Sequence, residues 1–248
     1  MRLATLVHGS GPAATFLHGF TQTKESWLPV IESLTVDIEA TLIDAPGHGD
    51  SPIDGRTLPE SADDVAACMP SGVLVGYSMG ARIALHTALQ HPEKVRGLVL
   101  VSGTPGIRSE TERADRCTSD EALAQHIEEI GMSQFITEWL SNPMFKGISS
   151  QHADVPRRNT NTEQGLADSL RYAGTGTQDP LWNQLKNLHM PVLVITGEHD
   201  EKFTAIGREM TAEILHGEHH VMSGVGHTCH LEDISQFVRI FEDWLLRL

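Results

Sequence analysis

The sequence has few cysteines and no long apolar run, and both absences restrict the class of protein. The cysteines, Cys68, Cys117 and Cys229, are odd in number and widely spaced along 248 residues. We therefore expect free thiols in a reducing cytoplasm and no disulfide framework. No apolar stretch approaches the ~20 residues that a membrane span requires, so we expect no membrane insertion. Residues 1–8 are too soon interrupted by polar side chains for a signal peptide.

Positive charge is also scarce. The chain has 18 Lys and Arg against 33 Asp and Glu, and its formal net charge is -15. Such a surface repels nucleic acids and anionic membranes, so we expect neither as a partner. An anionic substrate would need locally placed arginines to overcome this unfavourable field.

The most informative stretch is Gly76-Tyr77-Ser78-Met79-Gly80. An apolar segment typical of a buried strand, 72–75, precedes it, and a helical segment, 81–90, follows it. A Gly-x-Ser-x-Gly between a strand and a helix is typical of a nucleophile elbow, in which the serine occupies a strained turn. The motif also occurs by chance, but the flanking strand and helix favour the elbow.

The remaining chain predicts an α/β-hydrolase fold, with a mostly parallel twisted sheet and helices on both faces. Segments typical of strands alternate with helical segments over 1–106 and again over 187–248. Between them, residues 107–186 show helical periodicity and no strand pattern. We therefore predict a hydrolase core formed by 1–106 and 187–248 and a helical cap formed by 107–186.

An oxyanion hole is expected where the strand 14–17 runs into His18-Gly19-Phe20. In this fold the backbone N–H of Phe20 would point to the same place as that of Met79, the residue after the serine. Gly19 would let the backbone turn inward. The alternative is an ordinary turn at the end of a strand.

A base and an orienting acid are expected after the serine, in the order Ser, acid, His. Asp200 follows a strand end and His227 follows a glycine-rich turn, so both favour these roles. Glu198 is the rival acid, and the rival bases are His219, His220 and His230. These histidines could also ligate zinc, but no Cys or Asp set has ligand spacing, so we expect no metal and no cofactor. We expect Asp44 and His48 to fix a loop near the pocket.

Arginines give the clue to the substrate. Arg82 lies four residues after Ser78 on the same helix face, where an arginine is costly unless it binds an acid. The partner could be a substrate carboxylate or a loop carboxylate such as Asp44 or Asp50. The segment 107–186 carries further arginines, at positions 113, 116, 157, 158 and 171. Because guanidinium binds carboxylate bidentately, we expect a small polyanionic substrate.

Over nearly its full length the chain resembles the MenH-type 2-succinyl-6-hydroxy-2,4-cyclohexadiene-1-carboxylate synthases of menaquinone biosynthesis. The motifs 17–20, 46–49 and 76–80 are shared by hydrolases in general. The more specific segments are 76–82, 138–145, 158–161, 169–176 and 197–203. The sequence departs from the family at Ala81, where glycine is common, and in the loop 103–106.

The resemblance implies that the serine acts as a base and does not hydrolyse, so that pyruvate is eliminated from 2-succinyl-5-enolpyruvyl-6-hydroxy-3-cyclohexene-1-carboxylate. It implies Ser78 as the base with His227 and Asp200 as activators. Substrate contacts are implied for Tyr77, Arg82, Arg116, Trp139 and Arg158, with Arg113 as a weaker substitute for Arg116.

Two other functions use the same residues. A carboxylesterase or C–C bond hydrolase acting on an acidic metabolite would need the same serine, acid and histidine, and the same arginines. A non-catalytic binding protein would not need Ser78, Asp200 and His227 together, so their joint presence argues against it.

Overall fold

A seven-stranded sheet forms the centre of the fold in the computed structural model, which describes all 248 residues. The strand order is β1-β3-β2-β4-β5-β6-β7; β1 is antiparallel to β3 and every other pair is parallel. This architecture confirms the predicted α/β-hydrolase fold class. The strands are β1 Thr5–Gly9, β2 Ala13–Leu17, β3 Glu39–Ile43, β4 Gly72–Tyr77, β5 Val95–Val101, β6 Val192–Gly197 and β7 Gly217–Met222.

Helices cover both faces of the sheet, because its central strands are apolar on both sides. In β4, Leu74 packs into the hydrophobic cluster on one face, and Val73 and Val75 pack into the cluster on the other. The helices outside the connection from β5 to β6 are α1 Leu28–Ile31, α2 Leu58–Cys68, α3 Met79–Gln90, α9 Glu201–Glu213, α10 Cys229–Glu232 and α11 Ile234–Leu245.

The connection from β5 to β6 is helical and contains no strand. Its helices have a small hydrophobic cluster of their own, which includes Ile127, Phe135, Ile136 and Leu166. The division into a core and a cap at 107 and 186 stays a prediction. The helices are α4 Glu110–Ile130, α5 Met132–Leu140, α6 Ser150–Ala153, α7 Val155–Arg158 and α8 Glu163–Ala173, with short 3₁₀ turns at Lys24–Trp27, Pro143–Phe145 and Trp182–Asn187.

The carboxyl ends of the parallel strands define where a site can form. β2 ends at Leu17, β4 at Tyr77 and β6 at Gly197, and all three ends lie on the same edge of the sheet. The segments that follow these strands carry Phe20, Ser78 and Asp200. None of the helices has the length and apolar character needed to cross a membrane.

Candidate active site

Ser78 occupies a strained turn between β4 and α3. Its backbone has φ 51° and ψ −104°, a conformation that is costly for a residue with a side chain. Glycine is required on both sides, because a Cβ at Gly76 would collide with the backbone of Gly80 and a Cβ at Gly80 with the carbonyl oxygen of Leu17. This close packing holds the Ser78 hydroxyl at the carboxyl edge of the sheet.

A chain of hydrogen bonds links Ser78, His227 and Asp200. The Ser78 Oγ lies 3.1 Å from His227 Nε2, and His227 Nδ1 lies 2.6 Å from Asp200 Oδ2. Because a carboxylate only accepts, Nδ1–H donates to Asp200 and Nε2 is free to accept from the serine hydroxyl. The rival acid, Glu198, instead accepts the backbone N–H of Gly224 at 2.8 Å.

Two backbone N–H groups beside Ser78 are free to donate. The Phe20 N–H has no acceptor among the hydrogen bonds of the loops, and Met79 begins α3, where the first N–H groups have no intrahelical acceptor. Gly19 is required before Phe20 because the Tyr77 ring fills the space that a Cβ would occupy. Free N–H groups next to a serine hydroxyl are the donors that an oxyanion requires.

These groups line a cavity of about 220 Å³. Asp200 lies behind His227 and does not reach its wall, whereas the other site residues expected from the sequence all contribute to it. Those in the wall are Phe20, Tyr77, Ser78, Met79, Arg82, Arg116, Trp139, Arg158 and His227. The structure therefore brings together, in one wall, residues that are distant in the sequence.

Arg82 is buried in this wall without an ion pair. Its side chain is 8% exposed and its Nη1 donates to the carbonyl oxygen of Ala173 at 2.7 Å, but no carboxylate lies within 4 Å. Burial and the charge of Arg116 lower its pKa to about 10, so the guanidinium stays charged near neutral pH. The loop carboxylates of Asp44 and Asp50 instead bind Lys24, each at 2.7 Å.

Arg158 and Arg116 contribute the other two guanidinium groups. Arg158 is 2% exposed; its Nε donates to the Ala153 carbonyl at 2.7 Å, and burial lowers its pKa to about 10. Arg116 reaches the wall from α4 while its Nε binds Asp120 Oδ1 at 2.7 Å. Arg113 does not line the cavity and donates to backbone carbonyls of the preceding loop. The geometry therefore favours Arg116 over Arg113.

Tyr77 and Trp139 supply aromatic surface. The Tyr77 hydroxyl hydrogen-bonds the Thr228 hydroxyl at 3.1 Å, and burial raises the pKa of the phenol well above its usual value. The Trp139 ring packs edge-on against Phe20, with centroids 5.3 Å apart. Its indole N–H has no partner in the protein. Trp139 thus combines an apolar wall with an unused donor.

Several wall residues were not singled out from the sequence. The polar ones are Gln22, Thr104, Ser169, Thr175 and Lys202. Ser169 and Lys202 lie inside segments 169–176 and 197–203, whose resemblance to the family was the available signal. Gln22 belongs to no motif in the sequence, and its role is seen only in the structure, where its Oε1 accepts the Gly19 N–H at 2.9 Å.

Asn161 connects the loop after β2 to the helical segment. Its Nδ2 donates to the carbonyl oxygens of Thr21, at 2.8 Å, and Arg158, at 2.9 Å. Its Oδ1 accepts the N–H of Gly49 at 2.9 Å. Thr21 has φ 67°, an unfavourable value for a β-branched residue, and Arg158 also donates to its hydroxyl. These bonds fix the backbone directly after Phe20.

Replacing Asn161 by alanine is expected to lower kcat about 10- to 100-fold, because it displaces the free Phe20 N–H beside Ser78. KM should change much less. Steady-state kinetics measure both, with Asn159→Ala, an exposed neighbour, as control. An unchanged kcat together with a lower melting temperature would give Asn161 a structural role only.

His230 is buried next to the site but does not contact the cavity. Its ring lies between Trp27 and Tyr77, with centroid distances of 4.5 and 4.4 Å, and neither ring nitrogen has a hydrogen-bond partner. Burial, with the neighbouring His227, lowers its pKa to about 3. His230 is therefore neutral in the folded protein and is not positioned as the base.

His230→Phe is expected to weaken the acid sensitivity of the fold. Between pH 6.5 and the folded pKa of about 3, His230 is protonated in the unfolded chain but not in the folded protein. The free energy of unfolding therefore falls as the pH drops below 6.5, whereas above pH 6.5 the contribution of His230 is constant. At pH 5 the wild type should lose about 2 kcal/mol from this group relative to pH 7. Urea unfolding of wild type and variant at pH 5 and pH 7 measures the effect. If both proteins lost the same free energy of unfolding between pH 7 and pH 5, the assignment of a buried neutral His230 would be contradicted.

No group of three His, Cys, Asp or Glu side chains is arranged to hold a metal ion. His219, a candidate zinc ligand from the sequence, instead hydrogen-bonds Thr196 through Nε2 at 2.8 Å.

Comparisons with known proteins identify the family of the chain. A sequence profile of the alpha/beta hydrolase family matches residues 16–240. A Bacillus subtilis protein provisionally named 2-succinyl-6-hydroxy-2,4-cyclohexadiene-1-carboxylate synthase is 35% identical over 94% of this chain and 90% of its own. The synthase of Serratia proteamaculans is 30% identical over 98% of both chains.

A solved structure extends the likeness to three dimensions. The structure of MenH from S. aureus superposes with a TM-score of 0.91 and 29% identity, and the match covers 98% of both chains. The chain therefore belongs to the 2-succinyl-6-hydroxy-2,4-cyclohexadiene-1-carboxylate synthase family, within the α/β hydrolases.

Proposed function

We propose that the protein is a carbon–oxygen lyase of menaquinone biosynthesis. It eliminates pyruvate from 2-succinyl-5-enolpyruvyl-6-hydroxy-3-cyclohexene-1-carboxylate to give 2-succinyl-6-hydroxy-2,4-cyclohexadiene-1-carboxylate. The observation that carries the proposal is the presence of Arg82, without a carboxylate partner, in the same cavity wall as Ser78. The identity to named synthases supports the particular substrate.

The reaction begins with removal of a proton. The hydrogen on ring carbon 2 is acidic because it lies next to the succinyl ketone. In this proposal Ser78 Oγ takes that proton while its own proton passes to His227 Nε2, 3.1 Å away. Asp200, 2.6 Å from Nδ1, stabilises the imidazolium that forms. These three residues thus form a catalytic triad that serves as a base.

Charge then moves onto the ketone oxygen. The N–H groups of Phe20 and Met79 have no acceptor in the protein, and in the proposal they form the oxyanion hole for the enolate. The enolate collapses as the carbon 2–carbon 3 double bond forms, the ring double bond shifts to carbons 4 and 5, and the bond from carbon 5 to oxygen breaks. The electron pair leaves with the pyruvate enolate, which gains a proton at carbon.

Guanidinium groups hold the substrate in this proposal. Arg82 and Arg158 are buried and bind only backbone carbonyls and the Thr21 hydroxyl, so each keeps donors for a carboxylate. Arg116 adds a third positive charge, and Tyr77 and Trp139 pack against the ring. No cofactor takes part. Three guanidinium groups in one cavity match a small polyanion in a protein whose net charge is -15.

A cytoplasmic location belongs to the same proposal. All three cysteines are free in the structure, as expected in a reducing compartment. The proposed substrate is a small polyanion that does not partition into a membrane.

A carboxylesterase or C–C bond hydrolase acting on a carboxylate-bearing metabolite is the second candidate. The hydrogen bonds among Ser78, His227 and Asp200 suit a nucleophile as well as a base. The free N–H groups of Phe20 and Met79 would equally hold a tetrahedral oxyanion.

Steady-state assays separate the two candidates. We expect the purified protein to release pyruvate from the enolpyruvyl intermediate much faster than the spontaneous elimination, and to turn over p-nitrophenyl esters slowly. Brisk ester hydrolysis without accelerated pyruvate release would reject the lyase and support the hydrolase.

A further inference from the structure

A second cavity adjoins the active cavity at the start of α9. We call it the outer chamber; its volume is about 330 Å³. The same side chains line both spaces, so the two cavities share a wall at these residues. The shared residues are Thr104, Arg116, Thr175, Lys202 and Phe203.

The outer chamber is positively charged. Arg108, Arg116 and Lys202 line it, and Glu112 is the one acid in its wall. The chain as a whole has a net charge of -15. An anion would bind in the chamber only at a cation that no acid already neutralises.

Lys202 is the one cation of the chamber without an ion pair. Arg108 binds Glu209 at 2.8 Å, and Arg116 binds Asp120 at 2.7 Å. No carboxylate oxygen lies within 4 Å of the Lys202 ammonium, and the Phe203 ring centroid lies 5.7 Å from Nζ. An unpaired ammonium in the wall shared by two adjoining cavities is a binding point for a carboxylate.

Apolar side chains and two threonines, Thr104 and Thr175, complete the wall of the chamber. Ile107, Trp182 and Ile206 line it. Trp182 is held by a 2.8 Å hydrogen bond to the Gly106 carbonyl and by the Arg108 guanidinium, 3.5 Å from its ring centroid. Such a space suits a ligand with one carboxylate and a small apolar remainder, and not a large polyanion.

We propose that the outer chamber binds a small monocarboxylate at Lys202 and receives the 2-oxo acid released in the active cavity. The identity of that acid as pyruvate rests on the proposed function. The carboxylate subsite itself rests only on the wall shared by the two adjoining cavities and on the unpaired ammonium of Lys202.

Pyruvate binding tests the subsite without turnover. Ligand-observed NMR should give a dissociation constant for the wild type and a value about fivefold weaker for Lys202→Ala, the effect of one partly exposed charge pair. Lys146→Ala is the matched control, because Lys146 is exposed, has no ion pair and changes the net charge equally. The control should bind as the wild type does.

A variant that removes a negative charge from the outer chamber shows whether the ligand binds there. Glu112 lines the outer chamber and not the active cavity, so Glu112→Gln should tighten pyruvate binding about twofold by removing a nearby negative charge. The weakening by Lys202→Ala should persist when Arg82 is also replaced by alanine.

Three results would overturn the subsite: no detectable binding to the wild type, equal effects of Lys202→Ala and Lys146→Ala, or loss of the Lys202 effect without Arg82. Failure of the lyase proposal gives a different pattern. Pyruvate binding would then still depend on Lys202, although the protein would not accelerate pyruvate release.

Discussion

Ser78→Ala is expected to slow pyruvate release by about 10²- to 10⁴-fold, the usual contribution of a positioned general base. The variant removes the oxygen that lies 3.1 Å from His227 Nε2 and keeps the Cβ, so the backbone of the turn is unchanged. KM should change little, because the guanidinium groups proposed to hold the carboxylates remain.

Single-turnover rates of pyruvate release measure the effect, and melting temperatures of both proteins verify folding. Ser169→Ala is the matched control. Its hydroxyl also lines the cavity but contacts Met79 Sδ at 3.4 Å and not His227. A Ser78→Ala protein within a few fold of wild type would show that another group removes the proton.

Arg82→Ala is expected to lower kcat/KM by about 10²- to 10³-fold, because truncating one partner of a buried charge pair costs several kcal/mol. Arg82→Lys should recover only part of the loss, since an ammonium lacks the bidentate fork of a guanidinium. The melting temperature should fall modestly, because the Ala173 carbonyl loses its donor.

Arg157→Ala serves as the control for a lost positive charge, since Arg157 is 48% exposed and has only a 3.4 Å contact with Asp154. Activity and thermal unfolding are measured on all three variants. An Arg82→Ala protein that is much less stable but fully active would mean that Arg82 stabilises the fold and does not bind substrate.

Local signals were enough to predict the fold class and the elbow. Apolar strands, the glycines around Ser78 and the order Ser, Asp, His all lie in short segments whose meaning does not depend on the rest of the chain. The choice of Asp200 over Glu198 agrees with the hydrogen bonds in the structure, where Glu198 accepts the N–H of Gly224.

Other features depend on contacts between distant segments, and the sequence carries no sign of them. Arg113 and Arg116 lie three residues apart on α4, so their different surroundings become visible only when the loop before α4 is placed. Asn161 joins loops that are more than a hundred residues away in the sequence. The charge state of His230 follows from complete burial, which periodicity does not predict.

The most direct test of the account is a single-turnover reaction with protein in excess over the enolpyruvyl intermediate. Pyruvate and the absorbance of the cyclohexadiene product are followed together, and the mass of the intact protein is recorded during the reaction. We predict that pyruvate and diene appear at one common rate, far above the spontaneous rate, while Ser78 stays unmodified. Pyruvate release at the spontaneous rate, or a covalent adduct on Ser78, would contradict the role of this serine as the base of an elimination.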